Sequence, residues 1–187
     1  MFIKYPSLTN HYAISPMSYA IVNNLEEEWY ATEKVDGSNI SINIDLETGD
    51  WEFAKRSGII NEDEPKPFNA LWEIISESDI ADMRRALVDL GYAGIAHIYG
   101  ELYGAGIQAQ DYVASKEGVK AVVLYDILTD NKDIIKQLGL SELQLVVPDK
   151  FIVPVAKRGT LTELLEQTPP DESIFGGANE GYVYKLV

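Results

Sequence analysis

The side chains of this chain best suited to chemistry are concentrated in four short clusters, and the first surrounds Lys34 in the run Glu-Lys-Val-Asp-Gly-Ser-Asn at residues 33–39. A lysine amine becomes a nucleophile only if its pKa of about 10.4 is lowered by burial or by a neighbouring cation such as a metal ion. The same run also fits a hairpin, because Asp36-Gly37 between two β-rich segments is a common turn and would leave Lys34 as a solvated edge residue. The cluster alone leaves both interpretations open.

The second cluster is the run Tyr-Gly-Glu-Leu-Tyr-Gly-Ala-Gly-Ile-Gln at residues 99–108. Strand alternation places Glu101 on one face, between Tyr99 and Tyr103. A strand that runs into a glycine-rich turn explains the same residues. The spacings of a P-loop and of a GxGxxG dinucleotide motif are both absent, so the glycines do not indicate either phosphate-binding loop.

The third and fourth clusters place charges in apolar strands. Asp126 interrupts the apolar segment at residues 122–128, and a buried aspartate must be paired, hydrogen-bonded or near a metal. The alternative is that Asp126 lies near the strand end and faces water. Glu180 and Lys185 belong to a C-terminal strand and are predicted on its opposite faces; an edge strand protected by charges is the alternative there.

The elements that position these clusters are predicted to form an α+β fold, because short strands and helices alternate without a βαβ rhythm. The first three strands are predicted to form an antiparallel meander with a turn at Asp36-Gly37. Asp79 is the predicted N-cap of the second helix, and Thr160 and Glu163 form a predicted capping box. Strands are predicted at residues 29–34, 38–45, 51–56, 95–103, 119–128, 143–147, 151–155 and 181–187, and helices at 68–76, 79–90, 132–138 and 160–167.

Composition limits the classes of protein. The 187 residues are 46% apolar and 24% charged, which is typical of one globular domain. No cysteine is present, so disulfides and thiolate metal sites are excluded. No run approaches the roughly 18 apolar residues of a membrane span, and we expect a soluble cytoplasmic protein with no indicated protein partner. The net charge of −15 argues against general attraction to phosphate backbones, so any contact with nucleic acid must be local.

Together the four clusters supply a nucleophile, carboxylates, an aromatic side chain and cations, the groups needed for phosphoanhydride chemistry on a nucleotide. Their order resembles the covalent nucleotidyltransferase superfamily of ATP-dependent DNA ligases, RNA ligases and capping enzymes. Lys34-Val35-Asp36-Gly37 resembles its motif I, KxDG. Residues 99–102, 124–127 and 180–185 resemble motifs III, IIIa and IV.

Within the superfamily the chain is most similar to the bacteriophage RNA ligase 2 family. The similarity includes the amino terminus, Met-Phe-Ile-Lys-Tyr-Pro-Ser-Leu at residues 1–8 and Asn-His-Tyr at 10–12. It also includes residues 54–58 and 104–108. The resemblance therefore extends from residue 1 to about residue 128 and again over 180–185.

The resemblance implies antiparallel sheets flanked by helices around a nucleotide cleft, an ATP-grasp-like ligase nucleotidyltransferase domain. It implies that Lys34 attacks the α-phosphorus of ATP and holds AMP as a phosphoramide, and that the AMP then activates RNA ends, at nicks in duplex RNA, for repair. Tyr125 is expected to stack on adenine through its ring and not its hydroxyl. The remaining implied roles are Glu33 at adenine, Asn39 and Arg56 at phosphate or the RNA end, Glu101 and Glu180 at ribose or Mg²⁺, Asp126 with Glu180 as metal ligands, and Lys185 at phosphate.

Two departures from the family pattern matter. Asp36 stands where the phage relatives have histidine, and the chain stops two residues after Lys185, where relatives continue into a Lys-x-Lys motif V and a C-terminal domain. Residues 1–187 are therefore expected to be an adenylyltransferase domain truncated at its C-terminus, in which Lys55, Arg56 and Lys185 meet the phosphate charge. The alternatives are a DNA ligase, a capping enzyme, or a binding module for nucleotides or RNA ends that has lost turnover.

Overall fold

The computed structural model describes residues 3–8, 24–131 and 134–187. These segments contain nine strands and five α-helices. A 3₁₀ turn at Phe68–Ala70 directly precedes the first helix. The strands are β1 Trp29–Glu33, β2 Ser38–Asp45, β3 Trp51–Lys55, β4 Gly58–Ile59, β5 Ile95–Gly104, β6 Lys120–Asn131, β7 Ile134–Gln137, β8 Val155–Gly159 and β9 Tyr182–Leu186. The helices are α1 Leu71–Ile74, α2 Glu77–Asp89, α3 Val113–Lys116, α4 Leu140–Val146 and α5 Leu161–Leu165. No helix in these segments is long and apolar enough to cross a membrane.

The strands form two antiparallel sheets. Six strands pair in the order β4-β3-β2-β5-β6-β7, and three pair in the order β8-β1-β9. The predicted α+β class with antiparallel sheets is confirmed.

The predicted meander is wrong at its first connection. β1 does not pair with β2, because both of its edges are occupied by strands from the C-terminal part of the chain. Tyr30 lies opposite Arg158 on β8 and opposite Lys185 on β9. Asp36-Gly37 is therefore not a hairpin turn. It is the point at which the chain leaves the three-stranded sheet and enters the six-stranded one, and only β2 and β3 form the predicted hairpin.

Three other predicted elements differ from the structure. Residues 134–137 of the predicted helix at 132–138 form strand β7, while residues 132 and 133 lie outside the described part of the chain. Residues 143–147, predicted as a strand, belong mostly to helix α4, in which Leu140, Leu143 and Val146 are buried. Residues 151–155 make a single parallel bridge at Ile152 before β8 begins. Short apolar runs fit both periodicities, so pairing and packing decide their type.

The helix termini follow local signals more closely. Thr160 and Glu163 form the predicted capping box of α5. For α2 the N-cap is Ser76 and not Asp79. Asp79 is instead the third helical residue, which exchanges hydrogen bonds with Ser76 in a second capping box.

The hydrophobic core lies on one face of the six-stranded sheet. Ile40, Ile42 and Ile44 of β2 point to this face and are fully buried together with Met83 and Leu87 of α2. Each such side chain contributes about 1.5–3 kcal/mol through burial. Because side chains alternate along a strand, β2 and β5 present their polar residues to the other face.

A β-bulge at the centre of the sheet changes this alternation on β6. Tyr99 pairs with Asp126, but Gly100 pairs with Leu124, which leaves Tyr125 as the extra residue. A Cβ on residue 100 would lie 2.3 Å from the carbonyl oxygen of Val123, so only glycine fits there. The bulge places Tyr125 and Asp126 together on the polar side, while Leu124 remains in the core.

Candidate active site

The polar side of the sheet opens into a cavity of about 340 Å³ between the two sheets. The predicted site residues line it with two exceptions: Lys55, and Asp126, which lies behind Lys185 and contacts it. The lining consists of residues Tyr5, Pro6, Ser7, Leu8, Thr32, Glu33, Lys34, Val35, Asp36, Gly37, Asn39, Arg56, Glu101, Val123, Tyr125, Val153, Glu180, Val183 and Lys185. Four clusters that are far apart in the sequence therefore meet at one site.

Lys34 lies directly after β1, where it faces the cavity. Its Nζ is 2.8 Å from Oε2 of Glu180, and its side chain is 47% exposed. Its backbone N–H donates to the carbonyl oxygen of Gly181 over 2.9 Å. The amine is therefore accessible to a ligand in the cavity, while its backbone and its head group are both held by the segment before β9.

The segment after Lys34 is braced against β5 and against the residues that precede α3. A Cβ on residue 37 would lie 2.4 Å from the carbonyl oxygen of Leu102, so the close approach of the two strands requires Gly37. The N–H of Asp36 donates to the hydroxyl of Tyr112 over 2.9 Å, and Gln110 donates to the Asp36 carboxylate over 3.1 Å. The glycine and aspartate of the KxDG run thus fix where the lysine backbone lies.

Glu101 lies in β5 beneath the cavity. Burial raises the pKa of its carboxyl to about 8, with Lys34 opposing the increase and with Asp36 and Glu180 adding to it. At neutral pH the carboxyl is therefore mostly protonated. In that form it can donate a hydrogen bond as well as accept one, which suits contact with a sugar hydroxyl.

Because the folded chain keeps this proton, we predict that its free energy of unfolding depends on pH. Glu101→Gln should remove this dependence. Between the ordinary pKa of 4.5 and the raised value of about 8, the folded chain holds a proton that the unfolded chain has lost. The contribution of Glu101 to the free energy of unfolding is complete at low pH and is lost as pH rises towards 8. Above pH 6 the expected total loss is about 1–2 kcal/mol. Denaturant unfolding of both proteins from pH 6 to pH 9 measures this effect: the wild-type chain should lose stability relative to Glu101→Gln as pH rises. A difference that stays constant across this range would contradict the assignment.

Tyr125 and Asn39 form a pair in the wall of the cavity. Nδ2 of Asn39 donates to the Tyr125 hydroxyl over 2.7 Å and lies 3.4 Å from the carbonyl oxygen of Gly100. The hydroxyl of Tyr125 thus anchors Asn39, whereas the stacking of adenine on the Tyr125 ring stays a prediction.

We therefore expect different effects from two substitutions of Tyr125. Tyr125→Phe keeps the ring but leaves Asn39 without its shorter hydrogen bond, at a cost of about 1 kcal/mol and a several-fold increase in KM for the nucleotide. Tyr125→Ala also removes the stacking surface, worth about 1–3 kcal/mol, so KM should rise by about another 5- to 150-fold. Nucleotide titrations of the three proteins measure this order. Equal losses in both variants would contradict the stacking role.

Lys185 and Asp126 form a buried ion pair beside Tyr125. Nζ of Lys185 is 3.0 Å from Oδ2 of Asp126 and donates to the Tyr125 carbonyl oxygen over 2.7 Å. The two side chains are 12% and 4% exposed. Burial lowers the pKa of Lys185 and the charge of Asp126 opposes that shift. The alternative in which Asp126 faces water is therefore wrong.

Asp126 is further saturated by hydrogen bonds. It accepts from the hydroxyl of Tyr5 over 2.8 Å, from Nε2 of Gln137 over 2.9 Å and from the N–H of Ile127 over 3.0 Å. Its role as a metal ligand stays a prediction, and its contacts in the structure are those of a partner for Lys185. Glu180 precedes β9, so Glu180 and Lys185 do not occupy opposite faces of that strand as predicted; both line the cavity.

Tyr5 is a site residue to which the sequence analysis gave no role. Its ring lies 4.8 Å from that of Tyr99 and 5.4 Å from that of Tyr125, centroid to centroid. Burial and the charge of Asp126 raise the pKa of the Tyr5 hydroxyl, which therefore remains a donor to that carboxylate. Its position in the family-like amino terminus was the available signal, but nothing in the sequence specified the contact.

The basic residues near the cavity differ in how firmly neighbouring side chains hold them. Arg56 lines the cavity, and among the described residues the hydrogen-bond partner of its guanidinium is the Ser7 hydroxyl, at a marginal 3.5 Å from Nη2. Lys55, predicted as a phosphate contact, instead pairs with Glu64 and lies over the Phe68 ring. It is not among the described residues that line the cavity.

A divalent metal would fit the cavity through its carboxylates. Mg²⁺ is usually held by one or two carboxylates together with substrate phosphates and water. Glu101 and Glu180 supply hard oxygen donors next to Lys34. No group of three or more acidic or histidine side chains that could hold a metal occurs in the described residues, so the phosphates would have to supply part of the coordination.

Two antiparallel sheets around a cavity, with a lysine after the first strand and acidic residues beside it, define a nucleotidyltransferase fold of the ligase type. The RNA ligase family profile matches residues 27–187. The chain belongs to the RNA ligase family. The comparison with curated proteins found no match.

Solved structures of Naegleria gruberi RNA ligase variants share the fold. One with ATP and Mn is 20% identical, covers 98% of this chain and 53% of its own, and has a TM-score of 0.67. One with AMP and Mn is 19% identical, with coverages of 99% and 54% and a TM-score of 0.64. Another with ATP and Mn is 19% identical, with coverages of 93% and 49% and a TM-score of 0.61. The chain thus spans about half the length of these proteins.

Proposed function

We propose that the chain is the adenylyltransferase domain of an ATP-dependent RNA ligase and that Lys34 is its nucleophile. The observation that carries this proposal is the exposed Lys34 amine in the cavity, 2.8 Å from Glu180, with Lys185 lining the same cavity. Membership of the RNA ligase family supports it. So do the Naegleria structures, which share the fold and contain ATP or AMP with Mn.

In the proposed reaction Lys34 loses a proton and its Nζ attacks the α-phosphorus of ATP. A P–N bond to AMP forms, the bond to the bridging oxygen breaks, and pyrophosphate leaves with that electron pair. Glu180 holds the amine in position, while Arg56 and Lys185 stabilise negative charge on the phosphates. The Tyr125 ring provides the surface for adenine.

A divalent metal, Mg²⁺ in our proposal, would neutralise charge on the phosphates when it is bound. Glu101 and Glu180 are the side chains placed to hold it, and Asp126 remains the further predicted ligand. The same carboxylates can contact the ribose hydroxyls.

RNA ends are the proposed acceptors, as nicks in duplex RNA. The AMP moves from Lys34 to a 5′-phosphate, and a 3′-hydroxyl then attacks that phosphate and expels AMP. Because the whole chain carries a charge of −15, contact with RNA must be confined to the cavity mouth, where Lys34 and Arg56 are exposed. A cytoplasmic location is part of the proposal.

Covalent labelling tests the first step. The chain is incubated with α-³²P-labelled ATP or GTP and either Mg²⁺ or Mn²⁺, denatured, and examined for label that acid releases, as expected for a phosphoramide. We expect label from ATP, less from GTP, and a modified peptide that contains Lys34. Stronger labelling by GTP would indicate a capping enzyme, and no labelling with either metal would refute the proposal.

Joining of nicked duplexes tests the acceptor. RNA and DNA nicks whose 5′ ends already carry AMP isolate the last step from the first. Preferential sealing of RNA is expected, and equal or better sealing of DNA would contradict the assignment of RNA as the substrate.

A further inference from the structure

Glu33 borders the cavity, but both oxygens of its carboxylate are engaged by residues that do not line it. Glu33 is the last residue of β1 and is 4% exposed. Its Oε1 accepts from the hydroxyl of Ser173, and its Oε2 accepts from the N–H of Ile174 over 2.9 Å. Both oxygens are therefore engaged by a turn that lies 140 residues further along the chain.

That turn belongs to a loop at residues 171–181, which leads into β9. The N–H of Ser173 donates to the Gly177 carbonyl oxygen and that of Gly176 donates back to Ser173, each over 2.9 Å. Residues Glu172 and Ala178 form an antiparallel bridge. The two sides of the loop are therefore linked by hydrogen bonds. A contact that fixes Ser173 also fixes the side of the loop that leads to Glu180.

The far side of the loop ends at the Lys34 amine. The N–H of Asn179 donates to the Asp171 carbonyl oxygen over 3.0 Å, and the Asn179 side chain accepts from the N–H of Gly181 over 2.7 Å. Between them lies Glu180, whose carboxylate is 2.8 Å from Nζ of Lys34. The contacts form a closed ring, since Lys34 follows Glu33 in the sequence.

A second anchor comes from aromatic packing. The Phe175 carbonyl oxygen accepts from the N–H of Val113 over 2.8 Å, and the Phe175 ring packs against Tyr103 and Tyr112. Tyr112 also accepts from the N–H of Asp36. The loop is thus braced from both sides of the nucleophile.

We propose that Glu33 is a positioning residue whose carboxylate clamps the 171–181 loop and so places Glu180 at the Lys34 amine. This inference rests on the proposed function for its effect on catalysis. It assigns the Glu33 side chain to the loop and not to adenine. A near-attack geometry is sensitive to displacements of about 1 Å, so release of the loop should slow the reaction even with nucleotide bound.

Two variants and a matched control test the clamp. Glu33→Gln replaces one accepting oxygen of the carboxylate by an NH₂ group, which cannot accept a hydrogen bond. Ser173→Ala removes the hydroxyl that donates to Glu33 and accepts from the N–H of Phe175, at a residue that does not line the cavity. Glu172→Gln alters an exposed carboxylate in the same loop. We expect the rate of labelling at saturating ATP to fall about 10- to 100-fold in the first two variants. KM for ATP and the preference for ATP over GTP should change less than about three-fold, and the double variant should be no worse than the poorer single one.

Amide hydrogen exchange provides a measurement that does not require activity. Residues 174–181 should exchange about ten-fold faster in Glu33→Gln and in Ser173→Ala, and at the wild-type rate in Glu172→Gln. If the wild-type chain takes no label, the proposed function fails, while exchange still decides the clamp. Unchanged exchange in Ser173→Ala would overturn the clamp, as would a loss of ATP preference in Glu33→Gln with an undisturbed loop, which would make Glu33 a reader of the base.

Discussion

Replacement of Lys34 by arginine is expected to abolish covalent labelling, with a loss of at least about a thousand-fold. Arginine retains a positive charge that can pair with Glu180, as Lys34 does at 2.8 Å. Its guanidinium is always protonated in proteins and has no free electron pair on nitrogen for attack on phosphorus. Lys34→Arg therefore separates the nucleophile from the ion pair, and Lys34→Ala removes both.

The measurement is the amount of acid-labile AMP retained by each denatured protein. Lys150→Arg is the matched control, because Lys150 pairs with Asp79 of α2 on the other side of the core and does not line the cavity. It should label as the wild-type chain does. Label retained by Lys34→Arg would show that another side chain is the nucleophile. Unfolding curves for the three variants and the wild-type chain establish that any loss is chemical, since Lys34 is half-exposed and contributes little packing.

The residues of the candidate site could be predicted from the sequence because each belongs to a short motif of consecutive residues. Lys34, Glu101, Tyr125, Glu180 and Lys185 all line one cavity, as the resemblance implied. Their side chains were identified by type and order along the chain. Their partners were not, because contacts such as that of Tyr5 with Asp126 join residues 121 positions apart.

Local signals also predicted part of the fold correctly and failed where pairing is long-range. The capping box of Thr160 and Glu163 depends on four consecutive residues, and its prediction is confirmed. The pairing of β1 with β8 and β9 has no local signal, so Asp36-Gly37 fitted a hairpin equally well. The bulge at Tyr125 depends on how β5 and β6 pair around Gly100, and strict alternation could not have placed both Tyr125 and Asp126 on the polar side.

The same limitation applied to Lys185. The sequence indicated a cation near the phosphates but not that it would be buried against Asp126 behind the Tyr125 ring. Its Nζ lies 5.2 Å from the centre of that ring. The charge of Lys185 is therefore part of the wall beside the proposed adenine site, in addition to its proposed contact with phosphate.

Lys185→Met is expected to lower the rate of labelling by about 100- to 1,000-fold, because removal of one preorganised charge from such a site typically costs that much. Stability should also fall, by about 3–5 kcal/mol, since the substitution leaves Asp126 buried without its cation. Methionine has nearly the shape of lysine, so the packing against Tyr125 is retained. The two effects have different causes and can be separated.

The double variant Lys185→Met/Asp126→Asn performs that separation. It removes both charges of the pair, so denaturant unfolding should show most of the stability restored relative to Lys185→Met. Asparagine can still accept from the Tyr5 hydroxyl, which preserves that contact with the amino-terminal segment. Labelling should remain as low as in Lys185→Met, because no cation has been returned to the cavity. If labelling recovers together with stability, Lys185 serves only to neutralise Asp126, and Arg56 together with the metal must meet the phosphate charge alone.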